Sequence, residues 1–418
     1  MRAVKRQSSR LGRRAASPVL WGAIASAVIL IVFGLFAVST ARTNAADIDD
    51  LTYAAALDAL QLQGSTALEG KTIYFAEAAG EAGRFDRGDN GASKLGGLLR
   101  SMGATLLTLD WRATFPTNMD LLVIAGPVSD YSADQQARVW AYITNGGRAL
   151  IAVNPTVQRS RNDRGSFSAD AALFSLMFTD FGLRPVNDVI AIEGELREIT
   201  LRDENMVEDF TEEGVVVDAV IGSTVELPRL ITDFTTSNFD AAHPITANLD
   251  PEEGLRFFNA RSMRVDVGTM GGTVTPLVFS PEGYYGETNY TAYLATGLVN
   301  DSIGEDTGRG SLPVALAYQN DTSGARIVLI GDREMLTNGA GFASSPPNSL
   351  GFLFPGNVRF TLNSFAWLLD TGAPDMTFPT PGPTYTPTIT PSPTPTFTPT
   401  PQPEVTAEAT AEAASSGG

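Results

Sequence analysis

The sequence predicts an α/β protein with a doubly wound, mainly parallel sheet. Two short and almost wholly apolar runs, Leu121 to Ala125 and Ala149 to Val153, are typical of strands that helices cover on both faces. Between these runs Val139, Tyr142 and Ile143 recur at helical spacing. Strand, helix and strand in direct succession form one parallel βαβ unit.

Both ends of the helix in this unit are marked in the sequence. Ser132 followed by Gln135 is a capping-box pattern, which satisfies backbone N–H groups at a helix start. Gly146 and Gly147 predict a left-handed stop at its end, because glycine adopts positive φ without strain.

The same alternation continues on either side. Strands are expected at 71–76 and 105–109, with a helix between them whose apolar stripe stops at Gly103. A helix capped by Ser168 carries a second apolar stripe and ends at Gly182. A late strand at 326–330 precedes a final helix at 357–369. The three stripes comprise Leu95, Leu98, Leu99 and Met102; Phe174, Met177, Phe178 and Phe181; and Val358, Leu362, Phe365 and Leu369.

The region from Asp188 to about Gly310 has a different pattern. Its β-rich runs, such as 214–221 and 273–279, are separated by acidic loops and turn residues, so we interpret it as an inserted β-rich subdomain.

The N-terminal segment predicts a membrane anchor. Seven basic residues and no acidic one occur in the first 46 residues, and no charge lies between Arg14 and Arg42. Twenty residues from Val19 to Val38 give about 30 Å of helix, enough to cross a bilayer. The positive-inside rule then places the N-terminus in the cytoplasm and the rest outside. A cleavable signal peptide is the competing interpretation, since Ala41 and Ala45 follow the apolar run.

The C-terminal end differs in composition from the rest. Eleven prolines lie between Pro374 and Pro403 among threonines, which favours polyproline II and a disordered, semi-rigid tail. The predicted organisation is a cytoplasmic basic segment (1–17), a transmembrane helix (18–40), a juxtamembrane helix or linker (41–69), the α/β domain (70–187), the insertion (188–311), the return of the α/β domain (312–371) and the tail (372–418).

Composition excludes several classes of function. Beyond the N-terminal segment, 22 Lys and Arg stand against 47 Asp and Glu, a formal charge of about −25, which argues against nucleic-acid binding. The chain has no cysteine, so it has neither disulfides nor thiolate chemistry. It has one histidine, and the glycine-rich loop GEAGRFDRGDNG lacks the G-K-[ST] ending of a P-loop. We therefore expect no cofactor and no metal site.

A resemblance to a known family rests on five segments in the same order. They are ASKLGGLLRSMGATLLTLD, DLLVIAGPVSDYSADQQARVWAYITNGGRALIAVNP, HPITANL with FFNARSM, TPLVFSP, and RIVLIGDREMLTNG followed by GNVRFTLNSFAWLL. The chain resembles the GldG-type auxiliary, extracytoplasmic component of uncharacterised ABC transport systems and a related membrane-anchored α/β family of unknown function. The resemblance implies a flavodoxin-like or class I glutamine amidotransferase-like fold without catalytic residues. It also implies partnership with an ABC-2-type permease or another envelope protein.

Candidate ligand-binding residues follow the predicted strands. Open α/β sheets bind ligands at the carboxyl ends of their strands, so the expected ligand rim comprises Asp110, Gly126, Pro127, Asn154, Gly331 and Asp332. Asp332 also has a structural alternative, as the cap of the turn from Arg333 to Leu336. Structural roles are expected for Gly146, Gly147, His243, Pro244, Asn357 and Trp367.

Three further groups have both functional and structural interpretations. His243, in the turn HPIT, needs a serine and a carboxylate nearby to act in catalysis, and otherwise packs in its turn. Four tyrosines form either an exposed sugar-stacking or protein-binding face or a packed layer: Tyr284, Tyr285, Tyr290 and Tyr293. Acidic pairs at 203–204, 208–209, 212–213 and 305–306 lack calcium-motif spacing, which favours solvated loops.

These observations leave three hypotheses for function. The first is a non-enzymatic, membrane-anchored extracytoplasmic protein that recognises an ABC-2-type permease or an envelope component. The second is an amidotransferase-like hydrolase, and the third is a surface protein that binds envelope polysaccharide.

Overall fold

A computed structural model describes residues 66–156, 177–202, 204–205, 207–208, 220–297, 299, 306–347, 349–374, 378–379 and 381. The predicted membrane span, the helix start at Ser168 and most of the proline-rich tail lie outside these residues. No helix within the described ranges is long and apolar enough to cross a bilayer.

The central element is a sheet of seven strands. Five parallel strands, β1 (Thr72–Phe75), β2 (Thr105–Thr108), β3 (Leu121–Ala125), β4 (Arg148–Ala152) and β14 (Arg326–Ile330), have the spatial order β2-β1-β3-β4-β14. The sheet ends with β13 (Pro313–Gln319), antiparallel to β14, and β11 (Thr273–Phe279), antiparallel to β13. The sheet is thus mixed but mostly parallel, which confirms the predicted α/β class.

Helices cover both faces of this sheet. Helix α1 (Ser93–Ser101) joins β1 to β2, while α2 (Ala133–Thr144) joins β3 to β4 in the opposite direction along the sheet. Parallel connections are right-handed, so these two crossovers place their helices on opposite faces. The strand order matches the flavodoxin-like arrangement, whose switch point lies between β1 and β3.

Alternate side chains of each strand belong to two separate apolar cores. In β3, Val123 packs in the core that contains α1, and Ile124 packs in the core that contains Val139 and Ile143 of α2. All five residues of β3 are buried. A strand buried on both faces reads as a continuous apolar run, which is why the sequence predicts the bounds of β3 correctly.

Helix α4 (Pro355–Leu368) covers the α1 face and places Phe360, Leu362 and Phe365 in the core. Near its start, Asn357 is fully buried and binds the backbone of Arg256: its Oδ1 accepts from the amide at 2.8 Å and its Nδ2 donates to the carbonyl at 2.8 Å. The side-chain amide of Asn357 thus pairs with both backbone groups of Arg256, as the backbone of a neighbouring strand would.

The segment predicted as an insertion contributes to more than one layer. Strand β11 lies at the edge of the central sheet. A separate small sheet consists, in spatial order, of β12 (Tyr285–Glu287), β6 (Val189–Thr200) and β7 (Thr224–Ile231), and its strands contact α3 (Tyr290–Thr296). The remaining strands form two antiparallel pairs: β5 (Leu183–Pro185) with β10 (Met263–Val265), and β8 (Phe234–Thr236) with β9 (Leu255–Phe257).

One residue of the predicted tail packs on the folded domain. The ring of Phe378 lies edge-on to Phe352 at 5.2 Å, and the guanidinium of Arg359 lies 5.4 Å from its centroid. The apolar core therefore extends beyond residue 371, where the sequence predicts that order ends.

The capping box of α2 is present as predicted. Ser132 Oγ accepts from the Gln135 amide at 3.4 Å, and Gln135 Oε1 accepts from the Ser132 amide at 2.8 Å. At the other end only Gly146 is left-handed, with φ +92°. Gly147 has ordinary backbone angles, so the prediction of two left-handed glycines is wrong. Gly147 is required for space, because a Cβ there would lie 2.5 Å from the Tyr142 carbonyl oxygen.

This crowding gives a test of the α2–β4 connection. We expect Gly147→Ala to lower the free energy of unfolding by about 1–3 kcal/mol, because a backbone carbonyl cannot move aside cheaply. The matched control is Gly308→Ala, since a Cβ at Gly308 has no atom within 4 Å. Chemical denaturation of both variants checks the expectation, and equal stability would contradict it.

Candidate functional site

The carboxyl ends of β1, β3, β4 and β14 meet at one edge of the sheet, as the sequence predicts for a ligand rim. Asn154 and Asp332 follow the neighbouring strands β4 and β14, and neither has exposed surface. Gly126 follows β3 and Gly331 follows β14 at the same edge.

Asp332 binds backbone groups on two sides. Its Oδ2 accepts from the Phe258 amide at 2.7 Å, and its Oδ1 accepts from the Glu334 amide at 2.8 Å. The second contact caps the short 3-10 turn Glu334–Leu336, and the first ties this turn to the segment after β9. Both oxygens of the carboxylate are therefore engaged within the protein.

Asn154 and Gly331 hold the neighbouring backbone. Asn154 Oδ1 accepts from the Arg333 amide at 2.6 Å, and the Asn154 carbonyl accepts from Arg261 Nη1 at 3.1 Å. The Gly331 carbonyl accepts from the Arg261 amide at 2.9 Å. A Cβ on Gly331 would lie 2.3 Å from the Arg261 carbonyl oxygen, so this close approach requires glycine.

Two buried arginines that the sequence did not single out complete this edge. Arg333 extends across Gly126, where a Cβ would lie 1.7 Å from Arg333 Cδ, and its Nη2 donates to the Asn90 carbonyl at 2.8 Å. Arg261 donates through Nε to the Val186 carbonyl and through Nη2 to Asn187 Oδ1, both at 2.6 Å. Both arginines are fully buried. Since arginine is rarely buried, sequence alone favours exposed positions for them.

Glu334 is the most perturbed titratable group at this edge. Its carboxylate is buried beside Asp332 and Asn154 without a well-formed hydrogen bond to the described residues, and Arg333 Nη1 lies 3.9 Å from its Oε1. Burial, with a contribution from the nearby charge of Asp332, raises the pKa of Glu334 to about 8. The neutral form of Glu334 is therefore favoured in the folded state.

Backbone and side chains also close the switch point between β1 and β3. The Ala82 amide donates to the Ala125 carbonyl at 2.8 Å, and the Val128 amide donates to the Ala79 carbonyl at 2.8 Å. Next to them, the buried Tyr131 hydroxyl donates to Glu81, and burial raises the pKa of Tyr131. Among the described residues, the loops after β1 and β3 thus bind each other where this fold commonly receives a ligand.

The other predicted rim residues differ in their surroundings. Asp110 is exposed beyond β2 and binds the Arg112 amide at 3.0 Å, a hydrogen bond that holds its pKa below the ordinary value. It does not join Asn154 and Asp332. Pro127 follows Gly126 in the closed loop after β3.

His243 lies at the opposite end of the sheet from Asp332. Its ring packs against Trp367 at 5.1 Å, and the Arg326 guanidinium at the start of β14 lies 5.0 Å from the same tryptophan. Its Nδ1 accepts from the Ile245 amide at 3.2 Å, and burial lowers its pKa. Pro244 follows His243 in this turn. A five-residue strand separates the histidine from Asp332, so the two cannot act in one site.

The tyrosine-rich segment does not form an exposed row. Tyr285, Tyr290 and Tyr293 are buried in one small apolar cluster with Val189 and Leu230. Of the acidic pairs, Asp203, Asp209, Glu212, Glu213 and Glu305 lie outside the described residues. Within the described ranges no three carboxylate or histidine side chains are grouped as a metal would require.

The fold and this closed edge define an α/β domain of doubly wound type. The family model for the auxiliary component of an ABC-type uncharacterised transport system matches residues 70–363. The match spans more than half of the chain, so the protein belongs to this family. No curated protein matches the sequence.

Several solved structures are similar at low identity. The N-terminal domain of mmIFT52 has 12% identity and a TM-score of 0.38, covering 71% of this chain and 97% of that one. A thuA-like protein from Parabacteroides merdae has 12% identity and a TM-score of 0.35, covering 75% of this chain and 95% of that one. A thuA-like protein from Bacteroides uniformis has 10% identity and a TM-score of 0.33, covering 71% and 90%. These likenesses carry no argument about function.

The contacts of Asp332 predict a structural role that mutation can measure. Asp332→Ala leaves the part-buried amide of Phe258 and the buried amide of Glu334 without acceptors, so we expect a loss of up to about 1–3 kcal/mol for each in the free energy of unfolding. Asp332→Asn retains one acceptor oxygen and should fall between Ala and the native residue. Denaturant unfolding checks this order, and a stability of Asp332→Ala equal to that of the native protein would contradict it.

The raised pKa of Glu334 predicts a specific dependence of stability on pH. Below pH 4.5 both the folded and unfolded states hold the proton. Between pH 4.5 and about 8 the folded state keeps a proton that the unfolded state has released, so stability falls as pH rises. Glu334→Gln should remove this fall and raise Tm most at pH 8–9, with little change near pH 4–5. Thermal melts across pH test this, and parallel curves for both proteins would contradict it.

Proposed function

We propose that this protein is a membrane-anchored, extracytoplasmic auxiliary subunit that acts by binding an ABC-2-type permease, without chemistry of its own. Membership of the auxiliary family supports association with a transport system. The anchor and the permease as partner come from the sequence and the family resemblance.

The single observation that carries the non-enzymatic part is the occupied carboxyl edge. Arg333 lies across Gly126, Asp332 and Asn154 bind backbone amides, and the loops after β1 and β3 bind each other. An enzyme of this fold class needs an accessible nucleophile or base at such an edge. The chain also has no cysteine, and His243 lies at the other end of the sheet.

The entry of the domain suits attachment through the side where the parallel strands begin. The Leu68 amide, just before β1, donates to the Met102 carbonyl before β2, and Arg148 at the start of β4 donates to the Leu368 carbonyl at the end of α4. The entry of the domain and the end of α4 therefore both lie at the amino ends of the parallel strands, whereas Phe378 of the tail packs on Phe352, just before the start of α4. With a span at 18–40, we place the entry side toward the membrane.

In-membrane cross-linking tests the partnership. The tagged full chain is cross-linked in native membranes, and bound proteins are identified by mass spectrometry. We expect the ABC-2-type permease to be enriched. A chain whose residues 1–46 are replaced by an unrelated single span should retain the permease, because the ectodomain makes the contact.

Two results would contradict the proposal. One is equal recovery of the permease with an unrelated protein that carries the same anchor. The other is full protection of the ectodomain when protease is added outside intact spheroplasts, since the positive-inside rule places that part outside.

A further inference from the structure

A second concave surface lies away from the occupied edge, between the β6–β7 hairpin and α3. It is a groove of about 800 Å³, a size typical of small-ligand sites, and we call it the arginine groove. Its lining includes Arg197, Arg229, Arg256, Tyr290, Tyr293 and Leu294. Neither the family nor the closed sheet edge accounts for it.

Three guanidinium groups reach this groove from three different strands. Arg197 comes from β6, Arg229 from β7 and Arg256 from β9. These strands belong to two separate sheets, so the tertiary fold brings the three positive charges together. An exposed hairpin commonly carries isolated arginines, but a hairpin alone does not place an arginine of a second sheet beside them.

Among the described residues, two of these charges have no acidic partner. No acidic side chain of the described residues lies within salt-bridge distance of Arg197 or Arg229, while Arg256 Nη2 lies 3.8 Å from Asp233. Glu195 also lines the groove, so its three positive charges exceed its two negative ones. The excess is opposite in sign to the whole chain, which carries 47 acidic against 29 basic residues.

Two packed tyrosines form the floor of the groove. Tyr293 is buried, its hydroxyl accepts from the Leu230 amide at 2.8 Å, and its ring lies 5.4 Å from that of Tyr290. The Arg197 guanidinium lies 5.3 Å from the Tyr293 centroid, which restricts its orientation through a cation–π contact. Beside the arginines, Leu294 and Ile231 expose 43% and 42% of their surfaces.

We propose that the arginine groove binds a phosphate-bearing ligand, with its phosphate on Arg197, Arg229 and Arg256 and its organic body on Leu294 and Ile231. A carboxylate satisfies one guanidinium in paired geometry, whereas a phosphate offers three oxygens and up to two charges to several. The groove thus favours phosphate over a single carboxylate. This inference does not rest on the proposed partnership with a permease.

Binding is tested on the full chain in detergent with inorganic pyrophosphate as the probe. We expect saturable binding by microscale thermophoresis with a Kd of about 1 mM or below at low salt. Acetate at matched ionic strength should not saturate over the same range. Absence of saturable pyrophosphate binding, or equal binding of acetate, would overturn the proposal.

Variants assign the binding to the groove. Arg197→Gln with Arg229→Gln should weaken pyrophosphate binding at least about tenfold, and Arg229→Lys should have a smaller effect because it keeps the charge. Both arginines are exposed, so the fold should persist, as circular dichroism will show. The matched control is Arg112→Gln, whose side chain is exposed in a distant loop. Unchanged affinity in the double variant would refute the assignment.

A second arm identifies the source of the phosphate. The full chain is placed in nanodiscs of phosphatidylcholine alone or with phosphatidylglycerol. If the natural ligand is a lipid headgroup, phosphatidylglycerol should compete with pyrophosphate and weaken its apparent affinity for the native protein. The double variant Arg197→Gln with Arg229→Gln should show no such competition. If the ligand is a free organic phosphate, both lipid compositions should give the same affinity.

Discussion

The paired ends of β4 and β14 are the constraint on which the rest of the carboxyl edge depends. Asn154 binds the Arg333 amide, and Asp332 binds the amides of Phe258 and Glu334. With these amides fixed, the Arg333 side chain runs across Gly126 toward Asn90. An unpaired buried amide would cost about 1–3 kcal/mol, so the pairing also fixes the loop positions.

This arrangement differs from the way in which proteins of this fold class commonly bind ligands. A doubly wound sheet ordinarily leaves a crevice at the switch point for a ligand. Here the loops that follow β1 and β3 bind each other, and a buried arginine covers the glycine after β3. The described residues at this edge therefore bind one another, where other proteins of this fold class commonly hold a ligand.

Charge is distributed unevenly over those surfaces. The chain is strongly acidic, yet three arginines converge at one groove of the β6–β7 hairpin. At the amino ends of the strands, Arg148 and Arg326 both bind Asp370 and so hold the end of α4 to the sheet. The first set of arginines faces solvent in a groove, while the second set is used internally.

The sequence by itself determined the parallel frame. The bounds of β3, β11 and β14 and the start of α2 were predicted correctly, because apolar runs and capping boxes are local signals. Tertiary structure decided that β11 lies in the central sheet, that three tyrosines are buried and that Phe378 packs on Phe352. It also decided which residues form the candidate site. There Arg333 binds Asn154, which is 179 positions away in the sequence, and Asn90, which is 243 positions away. Local patterns cannot specify such contacts, because a buried arginine is identified only by the partners that surround it.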